Sequence, residues 1–146
     1  MAIVIRVLEP GDHRILRQVA PDVFDNPVDP ALAVEFLTDP RHHLVVALDG
    51  QTVVGMASAV DYVHPDKSVA LWINEVGVSP AYQRQGIGRQ LLETLLALGR
   101  ELGCEAAWLG AESDNVAANA LYRAAGGKPR LFVMYSFELA DDPSEG

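Results

Sequence analysis

Gln83-Arg84-Gln85-Gly86-Ile87-Gly88 decides the reading of this chain, because two glycines here open a run with strong helical periodicity. Glycine lets the backbone approach a bulky anion with no side chain in the way. The first N–H groups of a helix lack internal acceptors, and the helix dipole adds partial positive charge there. A diphosphate can take those N–H groups as donors. A dinucleotide fingerprint needs a third glycine, and a P-loop continues with Gly-Lys-Ser or Gly-Lys-Thr; this stretch has neither.

Working outward, Ile87, Leu91, Leu95, Leu98 and Leu102 follow at spacings of a helical stripe, and Gly103 is a natural stop. Upstream, Val69 to Val78 reads as a strand running straight into the glycine turn. Thr52 to Val63 and Leu44 to Leu48 read as two further strands joined by Asp49-Gly50, a strong hairpin signal, with Gly55 marking a bulge or a close approach. Ile3 to Leu8 is a first strand. Ile15, Leu16, Val19 and Val23 share one helical face, with Pro21 kinking or splitting that helix. Asp29-Pro30 caps a short second helix over Ala31 to Leu37. Downstream come a strand over Glu105 to Ala111, a helix over Asn115 to Ala125 ended by Gly126-Gly127, and an alternating stretch, Leu131 to Leu139, expected as the last strand. The expected order is β-α-α-β-β-β-α-β-α-β, one α/β domain over residues 1–139 with an acidic flexible tail, 140–146.

The chain has 146 residues, 49% hydrophobic and 21% charged, which fits one globular domain. Its formal net charge of -9 argues against nucleic acid or an anionic membrane as partner and suits a cationic ligand. One cysteine, Cys104, permits no internal disulfide. No basic-then-apolar leader and no apolar run of membrane-spanning length is present, so a cytoplasmic protein is expected. The four histidines show no zinc spacing, and no metal is expected.

Gln/Arg-x-x-Gly-x-Gly/Ala is the acetyl-coenzyme A pyrophosphate signature of the GNAT superfamily of N-acetyltransferases, which Gln83 to Gly88 resembles. The element order is that of the same fold: a central mixed, mostly antiparallel sheet flanked by helices. The resemblance covers almost the whole chain. It implies that the strands before and after the signature splay apart and that the acetyl-pantetheine arm lies between them. It implies cofactor contacts from Val76, Gly77 and Val78 on the entering strand. It adds Gln83, Arg84, Gln85, Gly86, Ile87, Gly88 and Arg89 in and beside the signature. Asn115-x-x-Ala118-x-x-Leu121-Tyr122 resembles the superfamily's second cofactor segment, where the asparagine contacts the arm and the tyrosine protonates the departing sulfur. The superfamily usually has Gly-Phe after this helix; here Gly127-Lys128 stands instead, a departure that touches packing more than chemistry.

Acetyl transfer to an amine needs a neutral amine, a stabilised carbonyl oxygen and a proton for the leaving thiolate. Glu75, in Ile73-Asn74-Glu75-Val76-Gly77-Val78, is the candidate to bind the ammonium and take its proton. Main-chain N–H groups near Val76 and Val78 suit the oxygen, with Asn74 and Gly77 marking the irregularity that frees them. Tyr122 is the candidate acid.

Asn74 to Val78 with Tyr82 to Ile87 also resembles the aminoglycoside 3-N-acetyltransferases, with Glu75 where that family has aspartate. Asp25, Asp29, Glu112 and Asp114 are then candidate acceptor contacts for a small cationic amine, and an aminoglycoside is the expected substrate. The alternatives are another small amine or a protein or peptide amine, and a non-catalytic acetyl-coenzyme A sensor. A homodimer is expected from the resemblance alone.

Overall fold

The hairpin built on Asp49-Gly50 is the centre of the structure. In the computed structural model, which describes residues 2–141, β1 (Ile3–Val7), β2 (His42–Asp49), β3 (Thr52–Tyr62), β4 (Ala70–Val78) and β5 (Ala106–Trp108) lie side by side in that order. The first four pair antiparallel, and β4 pairs parallel with β5. Helices α1 (Pro30–Thr38), α2 (Ile87–Glu101) and α3 (Val116–Ala124) complete the fold.

Both faces of the sheet are covered, so β2 and β3 are apolar almost without interruption. Val45, Ala47, Ala57, Ala59 and Leu71 face α2 and pack with Ile87, Leu91, Leu92 and Leu95. Leu44, Val46, Val53 and Met56 face the other way, against Leu16, Val23, Ala33 and Leu37 from the segments before and within α1. The α2 stripe is rotated from the expected one. Leu92 and Gly99, beside the expected stripe, are buried, and Leu102, which caps the helix beyond its last residue, is exposed. Gly99 sits where a Cβ would come 3.0 Å from Leu71 Cδ2.

Two expected elements differ. The first helix is a 3-10 helix, Asp12–Arg17, and it stops well before Val23. Beyond it the chain is extended: Ala20 N–H donates to Val53 O at 2.8 Å, and Val53 N–H donates to Gln18 O at 2.8 Å. The strand-like pairing of Val19 with Val53 outcompetes the helix, and Pro21 could not have continued it. The last strand expected over Leu131 to Leu139 does not form a ladder; Leu131, Tyr135, Phe137 and Leu139 are exposed. Alternation states only which face could be buried, and a strand also needs a neighbour. This segment approaches the chain beyond β5 through side chains: a Cβ on Gly110 would lie 3.9 Å from Met134 Cε and 4.0 Å from Phe132 Cζ. The part of the acidic end from residue 142 onward lies outside the described residues. Among the described residues no helix is long and apolar enough to cross a membrane.

Two register shifts matter. Between Ala47 and Leu48 the partner jumps from Gly55 to Val53, leaving Val54 extra, beside the glycine expected at a bulge or close approach. Between Ser58 and Ala59 the partner jumps from Glu75 to Ile73, leaving Asn74 extra in β4.

Candidate active site

The turn entering α2 is fixed before it can bind anything. Buried Ser79 donates its hydroxyl to Pro21 O at 2.7 Å and its N–H to Val54 O at 2.9 Å. A 3-10 turn, Pro80–Tyr82, follows, and Gln83 Nε2 donates to Val78 O at 3.0 Å, bracing the turn. Arg84 and Gly86 both have left-handed backbone, φ 64° and 79°. Turns of this kind direct successive N–H groups to one side and form a concavity that suits an anion. No side chain caps α2, and its first internal bond runs from Gln90 N–H to Gly86 O at 3.1 Å. The amides of Ile87, Gly88 and Arg89 therefore have no acceptor inside the helix. A Cβ on Gly86 would meet nothing within 4 Å, so the turn itself is open, and the free amides that follow it fit a diphosphate.

The second glycine of the signature has a different duty. A Cβ on Gly88 would lie 3.2 Å from Leu121 Cδ2 and 3.7 Å from Val78 Cγ2, so Gly88 lets α3 close against α2 and β4. Ile87 is core. Gln85 and Arg84 are exposed beside the turn, and Arg89 Nε already donates to Glu93 Oε1 at 2.8 Å.

The extra residue Asn74 sets the face on which Glu75 stands. Leu71 and Ile73 point to the α2 core, so strict alternation would send residue 75 there too. With Asn74 bulged, Val76 and Val78 take the α2 face instead, while Glu75 and Gly77 turn to the opposite one. A Cβ on Gly77 would come 2.5 Å from Val23 O, so the segment carrying Val23, Phe24 and Asp25 lies directly over β4. Glu75 ends in a cavity of about 300 Å³ between this segment, α1 and the sheet. Burial, the charge of Asp25 and a hydrogen bond with the Asp25 carboxyl all raise the Glu75 pKa above the ordinary carboxylate value, burial most.

β4 pairs with β5 only over Ala70–Trp72. Its second half, Ile73 to Val78, has β3 on one side and, among the described residues, no strand on the other. That leaves an open edge beside Val76, Gly77 and Val78. On the α2 side of this edge, Tyr122 packs against the core cluster, and burial raises its hydroxyl pKa above the ordinary 10.0. Asn115 caps α3: its Oδ1 accepts from Ala118 N–H at 3.1 Å, leaving its NH₂ as a donor.

The candidate acceptor carboxylates are not all together. Asp25 and Asp29 line the cavity with Glu75, but Asp29 Oδ1 accepts from Ala31 N–H at 2.8 Å and Leu32 N–H at 3.2 Å as the cap of α1. Glu112 and Asp114 lie in the exposed loop before α3, outside the lining of that cavity. What the sequence reading missed is the rest of the lining: Leu16, Phe24, Leu32, Phe36 and Leu44, with Ser58 beside Glu75. No local sequence signal separates these residues from ordinary core; only the tertiary packing, which leaves Leu32 63% exposed, does so. No group of three or more His, Cys, Asp or Glu among the described residues is placed to hold a metal.

Over 104 residues the chain is 38% identical to the N-alpha-acetyltransferase RimI of Mycobacterium tuberculosis, a match covering 71% of this chain and 63% of that protein. A shorter match, 45% over 51 residues, links it to the ribosomal protein bS18-alanine N-acetyltransferase of Escherichia coli, covering 35% of this chain and 34% of that one. Among solved structures, an aminoglycoside acetyltransferase from an uncultured soil metagenomic sample, in complex with sisomicin, superimposes with a TM-score of 0.83 at 19% identity. That superposition covers 94% of this chain and 97% of the other, a likeness of fold. The profile of the acetyltransferase (GNAT) family matches residues 13–126, and the chain belongs to that family.

Proposed function

We propose that the protein transfers an acetyl group from acetyl-coenzyme A directly to a primary amine. The observation that carries this reading is the Asn74 bulge, which turns Glu75 into a cavity on one side of β4 while Tyr122 stands on the other. The open edge of β4 lies between them.

In this reading the thioester enters along that edge, with its diphosphate on the amides that open α2. Glu75, with Asp25, receives the ammonium and takes one proton from it. Main-chain N–H groups around Val76 and Val78 stabilise the carbonyl oxygen as charge develops. The nitrogen–carbon bond forms, the carbon–sulfur bond breaks, and Tyr122 gives its proton to the departing sulfur, to be re-protonated from solvent. No covalent enzyme intermediate is invoked. Cys104 is a poor candidate for one, because burial and then the Asp61 charge push its thiol pKa up, away from the thiolate form.

Two finer acceptors have support. The net charge of -9 and the paired carboxylates favour a cation such as an aminoglycoside. The stronger sequence likeness is to proteins named as an N-alpha-acetyltransferase and a ribosomal protein bS18-alanine N-acetyltransferase, which favours a peptide α-amine. The test is thiol release from acetyl-coenzyme A across a panel of amines, with Glu75→Gln beside the wild type. Turnover that the variant loses supports the reading; acetylation of no amine at all sinks it.

A further inference from the structure

We infer that the acceptor is an amine with a single cationic head on a compact apolar body, aromatic or branched aliphatic. This rests on the amine-acetyltransferase reading above and narrows it.

Three properties of the Glu75 cavity carry the inference. Size comes first. A volume of about 300 Å³ lies at the small end for ligand pockets. A three-ring aminosugar would extend beyond it.

The second property is the wall. Apolar residues, Leu16, Phe24, Leu32, Phe36 and Leu44 among them, outnumber the polar ones; beside the carboxylates only Asn26 and Ser58 are polar, and among the described residues no Lys, Arg or His lines it. A hydroxyl-rich body would leave its oxygens without partners against Phe24 and Phe36, at the cost of a buried unsatisfied polar group for each. An apolar body gains by covering Leu32, which is otherwise 63% exposed.

Charge is the third. Of the three carboxylates lining the cavity, Asp29 is occupied by two main-chain N–H groups of α1. Glu75 and Asp25 sit together and form one anionic locus. A second ammonium would lie against the apolar wall with no counter-charge, and its desolvation would not be repaid. The same wall favours release of the proton from the first, since an apolar surround lowers an ammonium pKa.

The chemistry is shared by a free aralkyl or branched alkyl amine and by a peptide whose first residue is large and apolar. Thiol release at saturating acetyl-coenzyme A would be measured for ethylamine, 2-phenylethylamine, isopentylamine, Phe-Gly-Gly, Ala-Gly-Gly, spermidine and kanamycin. Wild type and Leu32→Asp would be compared; Leu32 is exposed on α1, and the wild-type series stands even if the variant is unstable. Expected are a kcat/KM for the apolar amines at least about 10-fold above ethylamine and the polycations, and a fall of about 10-fold or more for them in Leu32→Asp. Preference for Phe-Gly-Gly over both 2-phenylethylamine and Ala-Gly-Gly identifies the peptide source; preference for the free amine identifies the other. Kanamycin or spermidine as the best acceptor, or apolar amines no better than ethylamine, overturns the inference and leaves the acetyltransferase reading standing. Turnover on none of the seven removes both.

Discussion

Glu75 and Asp25 line the same cavity where it meets the sheet, and burial first, then the neighbouring Asp25 carboxylate, raises the Glu75 pKa above the ordinary carboxylate value. An empty cavity is therefore the state in which ionised Glu75 is least comfortable. An arriving ammonium relieves both the burial and the repulsion.

Glu75→Gln should for this reason stabilise the free protein while abolishing turnover. The folded pKa of Glu75 is raised, so the folded state holds its proton more tightly than the unfolded chain does. Its favourable contribution is present below the ordinary carboxylate value, 4.5, and is lost as pH rises through the raised one. The variant should thus melt higher than wild type at pH 7 to 8, with the difference vanishing below about pH 4.5. The acid limb of kcat/KM in wild type should lie above the ordinary carboxylate range. Thermal melts across pH and a pH–rate profile check both; a variant less stable at pH 8 than at pH 4, relative to wild type, counts against the pairing.

Gly77 is held by contact, not by conformation. An added Cβ would meet Val23 O at 2.5 Å, and that atom is backbone that cannot swing aside. Gly77→Ala should cost about 1–3 kcal/mol and push the Val23–Asp25 segment away from β4. KM for the amine should rise more than KM for acetyl-coenzyme A, since Asp25 moves and the amides of α2 do not. Equal changes in both would mean that the strain spreads through the whole sheet.

Gly86→Ala separates space from strain. Nothing lies within 4 Å of the new methyl, but φ is 79°. The expected cost is about 1–2 kcal/mol from the left-handed backbone alone. The left-handed turn that aims the α2 amides would also be disturbed, so KM for acetyl-coenzyme A should rise several-fold. Isothermal titration with coenzyme A measures this directly, and an unchanged affinity would move the diphosphate elsewhere.

Tyr122→Phe keeps the packing against the core and removes only the hydroxyl. Because burial raises that hydroxyl above its ordinary 10.0, it stays protonated through the neutral range, as a proton donor must. A fall in kcat of about 100-fold or more, with little change in KM for acetyl-coenzyme A, is expected. The alkaline limb of wild-type kcat should lie above pH 10. A Phe variant with full kcat removes Tyr122 from the chemistry.

The parts of this arrangement that were legible in the sequence are those where local backbone demands a residue type. Gly86 must be left-handed at the mouth of a helix, and the leucines of α2 must recur with its turns. Glu75 was visible beside Asn74 and Gly77; Asn74 proved to be the bulged residue, while Gly77 pairs in register with Met56 and is required by the close approach of Val23 O instead. The side of the sheet that Glu75 faces was not visible, because one bulged residue inverts the alternation and its position depends on pairing with Ser58 and Ala59, far away in the chain. The apolar wall was hidden for another reason. Phe24, Leu32 and Phe36 look like ordinary core on short helices until tertiary packing leaves a cavity beside them. The stretch from Leu131 to Leu139 shows the converse: alternation without a neighbouring ladder does not make a strand.

Asn115 joins structure and proposed chemistry in one side chain, and two substitutions pull them apart. Its Oδ1 accepts from Ala118 N–H and its main-chain N–H donates to Glu112 O at 3.1 Å, while Asn119 Nδ2 donates to Asn115 O at 2.8 Å. The cap uses the oxygen; the reading of Asn115 as a contact for the pantetheine arm uses the NH₂. Asn115→Ala removes both and should cost about 1 kcal/mol, the usual value of a lost N-cap, which is a few degrees of melting temperature in a chain of this size. Asn115→Asp keeps an accepting oxygen and adds a charge that the helix N-terminus favours, so its stability should match or exceed that of wild type. It has no NH₂, however, and brings a negative charge towards the arm. If Asn115 holds the arm, the aspartate variant will fold as well as wild type and bind acetyl-coenzyme A several-fold more weakly. If the aspartate variant binds the cofactor as wild type does, Asn115 is only the cap of α3, and the arm is held by β4 alone.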